Sequence, residues 1–266
     1  KIFNKTHTID AMLGHEVSFK GSESVKAQAK NFTFDAFGND NLSVGTTPSA
    51  VESARAESLR LSFFARAFYS YKDRYMFDAT IRGSASSVFG TNNRWGTFWS
   101  AGIAWNLHHE EWLKSATWIQ QFKLRGSLGS SGNQNYTTNR SLAVYNYYND
   151  KYYNGFTGAT LSNMENPYLG WEQKMDYNIG LDFRTSALTV RADAYIADTK
   201  DLVFSRTLLP SSGFSTVSDN LGVVRNKGFE LSVNYRLFQR GASWLAVFGK
   251  VAYNDNRILE ISDALE

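Results

Sequence analysis

The chain has 266 residues, with 28 Lys and Arg against 25 Asp and Glu, a formal net charge of +3. That balance is too mild to signal a nucleic-acid partner. The absence of cysteine excludes both a disulfide framework and a thiolate metal site. Aromatic residues make up 15%, with 20 glycines and only 3 prolines, a mixture that suits β-strands joined by many turns. No apolar run approaches the roughly 18 residues a membrane helix needs, which leaves open a membrane barrel whose strands are apolar on one face only.

In chain order, an alternation of period two recurs. Residues 7–19 set Ile9, Ala11, Leu13, His15 and Val17 against Thr8, Asp10, Gly14 and Glu16. Residues 59–71 are less regular, because Phe64 and Phe68 fall on the polar side. Residues 75–82 place Tyr75, Phe77, Ala79 and Ile81 opposite Asp78, Thr80 and Arg82. Next, Trp99, Ala101, Ile103 and Trp105 alternate with Ser100, Gly102, Ala104 and Asn106. The pattern continues with Phe122, Leu124 and Leu128 against Lys123, Arg125 and Ser127. Tyr177, Ile179, Leu181 and Phe183 then oppose Asn178, Asp182 and Arg184, and Leu188, Val190, Ala192 and Ile196 oppose Thr189, Arg191 and Asp193. Phe229, Leu231, Val233, Tyr235 and Leu237 face away from Glu230, Ser232, Asn234 and Arg236, and Leu245, Val247 and Val251 close the series.

This is about nine strands of roughly ten residues or more. Short links at 72–74, 185–187 and 239–243 alternate with long ones at 21–58, 84–93, 130–169 and 204–225, while 107–118 is intermediate and suits a helical turn. Antiparallel strands would send the short links to one rim and the long ones to the other, the habit of an outer-membrane barrel. A soluble sandwich or barrel offers the mirror-image reading, apolar inside and charged outside. Strand length and loop sorting favour the membrane. Tyr69, Tyr71, Tyr75, Trp95, Trp99 and Tyr253 then fit interfacial girdles. Nine strands leave open edges that hydrocarbon does not tolerate, so the chain is expected to be part of something longer.

The turn Tyr71-Lys72-Asp73-Arg74-Tyr75 leads into a strand ending near Arg82, a serine-rich loop with Phe89-Gly90, and Asn93-Arg94-Trp95-Gly96. There follow HHEEWLK at 108–114, the Gly132-Asn133-Gln134 run, Asn166-Pro167 leading to Trp171-Glu172, then TKDLVF and NLGVVRNKGFEL. In that order and spacing, residues 59–258 resemble the barrel of SusC/RagA-like TonB-dependent transporters. GSASS departs from the family's more usual aspartate-glycine-serine-serine, and His108 and His109 are not required by it.

The resemblance implies a wall segment of a 22-stranded antiparallel transmembrane β-barrel in the outer membrane of a Gram-negative bacterium, without the plug domain or the remaining strands. It further implies import of large nutrients, oligosaccharides or in some members peptides, energised through TonB acting on an upstream region, with a SusD-like surface lipoprotein as lid. A non-transporting barrel that anchors or adheres, and a soluble β-sheet glycan-binding protein, are the alternatives.

Enzymatic chemistry is not expected, nor a cofactor. His108-His109-Glu110-Glu111 has metal-binding residue types, but adjacent residues point apart and a solvated turn is the better reading. GSASSVFG lacks the lysine and spacing of a phosphate loop, and the four histidines suggest no catalytic triad. Tyr145, Tyr147, Tyr148, Tyr152 and Tyr153, set among asparagines, are candidates for substrate contact, beside lid contact and plain loop packing. Arg82, Arg125, Arg184, Arg191 and Asp193 are candidates for lining the lumen, where a ladder of alternating charge needs only water and its neighbours.

Overall fold

The computed structural model describes residues 2–3, 6–34, 40–134 and 140–260, apart from the side chains at 2–3, 48–50 and 148–150. Its strands, in chain order, are β1 (Ile2–Phe3), β2 (His7–Phe32), β3 (Gly45–Tyr71), β4 (Tyr75–Ser86), β5 (Trp95–Asn106), β6 (Ile119–Asn133), β7 (Val144–Tyr153), β8 (Phe156–Asn163), β9 (Glu172–Thr185), β10 (Leu188–Lys200), β11 (Val203–Thr207), β12 (Thr216–Asn220), β13 (Val223–Arg240) and β14 (Ser243–Glu260). One sheet holds ten of them in the order β1-β2-β3-β4-β5-β6-β9-β10-β13-β14, while β7-β8 and β11-β12 form separate hairpins. Apart from the two-residue β1, the sheet has the nine long strands expected from the alternation. Every pairing is antiparallel.

The tight turns follow from local chemistry. Lys72 and Asp73 both take positive φ, 52° and 51°, and Arg74 N–H closes the turn on Tyr71 O at 2.9 Å. Two left-handed central residues match the right-handed twist of the flanking strands. Between β9 and β10, the Thr185 hydroxyl accepts from the N–H groups of Ala187 and Leu188 at 3.2 and 3.0 Å. Gly241, with φ 57°, opens the β13–β14 turn.

Along the sheet, the short connections 72–74, 107–118, 186–187 and 241–242 share one rim, and the longer ones the other. Three of the long connections are more ordered than their sequence suggests. Residues 21–58, read as a loop, are mostly strand: β2 and β3 stay paired from Lys20↔Ser58 to Lys30↔Thr47, with one register shift between Gln28 and Ala29, and the connection itself is 33–44. Residues 130–169 include the end of β6 and the whole β7–β8 hairpin, and 204–225 contain most of β11–β12 and the start of β13. The intermediate link does hold a helical turn, a 3-10 turn at Leu107–His109.

The two faces of the sheet are chemically opposite. Ile9, Leu13, Val17 and Phe19 of β2 lie on the same face as Phe77 and Ile81 of β4, Trp99 and Ile103 of β5, Ile179 of β9, and Phe229 and Leu231 of β13; all are exposed. Among the described residues the buried apolar set is small, and its one aromatic cluster is Phe89, Phe98 and Trp171. A soluble fold would bury these strand faces, since each Leu-sized side chain removed from water contributes about 1.5–3 kcal/mol.

Candidate functional site

The opposite face carries charge, arranged in two clusters. In the first, Glu16 of β2 accepts from Arg60 of β3 and, at 2.7 Å, from Arg82 of β4. Arg82 also donates to Ser62 Oγ at 2.9 Å and Ser84 Oγ at 3.1 Å, and its guanidinium lies 5.6 Å from the Phe64 ring centre. Phe64 thus has a use on the polar side of its strand: it supports the arginine. Opposite it, Gly14 leaves the room that the ring fills. In the second cluster, Arg125 of β6 donates to Asp182 at 3.3 Å and Asp193 at 2.6 Å, and Arg191 reaches Asp182 at 2.9 Å. Gly180 lies under that guanidinium, where a Cβ would collide with it.

Arg125, Arg191 and Asp193 are therefore brought together, with Asp182 as their shared acceptor, and Arg82 belongs to the other cluster. Arg184 lies on the same face but in no ion pair among the described residues; it lines a hollow near the short-turn rim with Lys123, His108, Gln120 and Gln121. Glu16 and Asp182, which the alternation already placed on the polar face, and Arg60, which it did not single out, complete the networks without a sequence motif of their own. What could have found them is register, since each stands on a strand adjacent to its partner.

Between the first cluster and the start of β5 lies a cavity of about 450 Å³, bordered by Arg60, Arg82, Ser84, Ser131, Phe98 and Trp171. Its aromatic wall is also a latch. Phe89 from the β4–β5 connection and Phe98 from β5 pack on Trp171 at ring-centre distances of 4.5 and 5.3 Å, and Trp171 Nε1 donates to Arg94 O at 2.9 Å. Gly90 N–H adds a bond to Leu169 O at 2.8 Å. The motif residues Phe89-Gly90 and Trp171 thus fasten the long β6–β9 connection to the wall.

The candidate tyrosines lie apart from this wall, on β7–β8. Tyr145, Tyr147, Tyr152 and Tyr153 are exposed, Tyr153 to 86%; the side chain of Tyr148 lies outside the described residues. The hairpin turns at Asn154 and Gly155, with φ 50° and 83°. That Asn-Gly pair is the strongest short-range hairpin signal in a sequence, and it was available in the tyrosine-rich run.

At the short-turn rim, Glu110 gathers Trp105 Nε1 at 2.9 Å, Tyr75 OH at 2.8 Å and Arg74 at 3.0 Å. The hydrogen bonds from Trp105 and Tyr75, with the Arg74 charge, hold its carboxyl below the usual carboxylate range. His108 Nδ1 accepts from Phe122 N–H at 3.2 Å, and burial pushes its pKa down. His109 Nδ1 donates to Asp73 O at 2.9 Å. The His-His-Glu-Glu run is therefore a clasp between turns, and no group of three or more potential metal ligands occurs among the described residues.

Charge on the enclosed face and bulk apolar side chains on the open one define the wall of a membrane β-barrel. Asp182 and Asp193 are only 16% and 17% exposed, against 60% for Ile103, 66% for Ile179 and 85% for Leu13. Arg184, Arg191, Glu230 and Arg236, on the same ionic face, are exposed. Phe183 sits among Phe122 and Trp118 on the apolar face, at ring-centre distances of 5.7 and 6.1 Å. The sequence matches the family described as TonB dependent receptor-like, beta-barrel, over residues 2–264, and the chain belongs to that family.

Its relatives make it SusC/RagA-like. It is 31% identical to TonB-dependent receptor P39 of Formosa agariphila, over 99% of this chain and 25% of that protein. It is 32% identical to TonB-dependent receptor SusC of Bacteroides thetaiotaomicron, over 76% of this chain and 21% of that one. The solved RagAB peptide transporter superposes with a TM-score of 0.85 at 27% identity, over 98% of this chain and 29% of that one. The chain thus spans about a quarter of the length of these relatives.

Proposed function

We propose that the chain is wall and outer loops of an outer-membrane importer in a Gram-negative bacterium, with the apolar face against lipid and the ionic face lining the lumen. The observation that carries this reading is the inversion of burial: the carboxylates of Asp182 and Asp193 are sheltered, while Leu13, Ile103 and Ile179 are open. Its family membership and the likeness to SusC and to a peptide transporter support transport in preference to adhesion or soluble glycan binding. Arg82, Arg125, Arg184, Arg191 and Asp193 then border the path taken by a large polar nutrient, an oligosaccharide or a peptide. The exposed tyrosines stand at its outer mouth, beside a SusD-like lipoprotein lid. TonB acts through a part of the receptor other than this wall. Bond-making chemistry has no part in this role, and the protein is not an enzyme in this reading.

The test is growth of a strain deleted for the full-length receptor on single polysaccharides and on protein digests. Loss of growth on one of these nutrients, restored by the intact gene, is expected. Unaltered growth on all of them would overturn the importer reading.

A further inference from the structure

The apolar face is not evenly filled. Across β5, β6, β9 and β10 it dips into a groove of about 480 Å³, walled by Ile103, Leu128, Tyr177, Ile179 and Ile196 and floored at Gly126. Gly126 has no backbone need to be glycine. Its φ is not in the left-handed region, and a Cβ there would meet Ile103 Cγ1 at 3.6 Å and Asn178 O at 3.9 Å, ordinary contacts. Gly102 and Gly180 differ, because a Cβ at either would strike Asp78 or Arg125 on the ionic face. Gly126 keeps a hollow open on a surface that elsewhere carries large side chains.

What borders the hollow is charged. The cross-strand row Leu128, Tyr177, Ile196 continues directly into Lys227 of β13 and Asp255 of β14. The next row towards the long-loop rim runs Met175, Asp198, Arg225, Arg257. Arg225 is matched to Asp198 by two bonds of 2.6 and 2.7 Å. Lys227 and Arg257 instead share the single carboxylate of Asp255, at 3.7 and 2.9 Å. Lys200 stands one step higher on the same face, with Glu260 two strands beyond it, so cations outnumber carboxylates. Strands are about 4.8 Å apart, so Lys227 lies about 10 Å from the strand at the middle of the groove.

We infer that this is a site for a phosphate-bearing, acylated lipid of the leaflet on the long-loop side. An acyl chain lies in the groove over Gly126, and the headgroup phosphate takes the positive charge that Lys227 and Arg257 leave uncompensated. Apolar length below and surplus cation above, on one continuous surface, match a lipid better than a protein side chain or a soluble anion, each of which uses only one of the two.

The test is native mass spectrometry of the detergent-solubilised full-length receptor, offered bisphosphorylated lipid A, the same lipid without its phosphates, or inorganic phosphate. Retention of the bisphosphorylated lipid at least tenfold above the dephosphorylated one is expected, with no displacement by inorganic phosphate at equal concentration. The Lys227→Gln/Arg257→Gln pair and Gly126→Leu should each lower occupancy at least fivefold. Folding of each variant is checked by its heat-dependent mobility in detergent gels. Should Gly126→Leu not fold, the charge pair alone decides. Equal retention of both lipids, displacement by inorganic phosphate, or full occupancy in the folded variants would overturn the assignment.

Discussion

The two rims of this sheet solve the same problem differently. At the short-turn rim, chain reversals are brief and are tied to one another by a polar hub: Glu110 takes donors from Arg74, Tyr75 and Trp105. At the long-loop rim, the connections are held by an apolar latch, Phe89 and Phe98 against Trp171; beyond it β7–β8 and β11–β12 form sheets of their own, with β11–β12 tied back through Glu172 to Val203 N–H and through Asn220 to Gly170. Directional hydrogen bonds fix a turn to one geometry. Ring packing fixes a loop's attachment but leaves its outer part at liberty to differ.

The latch is where this contrast is broken most severely. Trp171→Ala removes a buried indole and its bond to Arg94 O, and large-to-small changes of this kind cost about 3–5 kcal/mol. The expected outcome is a wall that still folds, with faster backbone hydrogen exchange across 87–94 and 163–171 and new proteolytic cleavage there. Exchange at 107–118 should not change. If the short-turn rim loosens equally, the two ends are not independent.

The reciprocal change is Glu110→Gln. It takes the charge away from Arg74 and weakens the acceptor for Trp105 and Tyr75, so exchange should quicken in 107–118 and not at the latch. Because the folded state holds the Glu110 carboxyl low, the unfolded chain binds its proton more readily. Its stabilising contribution is complete above the ordinary carboxylate value of about 4.3 and is lost as pH falls below it. His108 adds a second, higher window. Its pKa is also depressed, so its contribution is complete above about 6.5 and declines as pH falls from there. The opening equilibrium of the short-turn rim, read as each amide's exchange rate divided by its intrinsic rate at that pH, should therefore rise in two steps on acidification, and the lower step should vanish in Glu110→Gln.

How much of this was legible depended on which physical signal each segment carries. Strands with one apolar face, such as 177–184 and 229–237, announce themselves by alternation, and nine long strands follow. The outer half of β2–β3 does not, because residues 20–32 and 45–58, apart from Val25, Phe32 and Val51, are polar or small on both sides. Nothing in their pattern separates a strand in water from a loop. The candidate arginines were legible as a face but not as clusters: Glu16 joins Arg60 and Arg82 only through the stagger of three strands. The latch was visible only as family motifs, since ring contacts between residues 89, 98 and 171 leave no local periodicity.

Within the long-loop rim, the β7–β8 hairpin gives a smaller and more local effect. Gly155, with φ 83°, has open space around it, so only backbone strain opposes a side chain there. Gly155→Ala should cost the hairpin roughly 1–2 kcal/mol, read as faster exchange confined to 144–163.

The smallest effect is expected at the far end of β2–β3. Lys26 and Glu52 pair at 3.5 Å with both side chains more than half exposed, and Arg55 lies between Glu23 and Glu57 in similar surroundings. Exposed pairs of this kind contribute about 0–1 kcal/mol and less in salt. Glu52→Gln should leave thermal stability within that range. If it instead frays the strands back towards Lys20 and Ser58, then these pairs hold the projecting hairpin together, and the long-loop rim relies on polar fastening after all. The difference from the short-turn rim would then be one of solvent exposure, since Arg74 and Glu110 are sheltered where Lys26 and Glu52 are not.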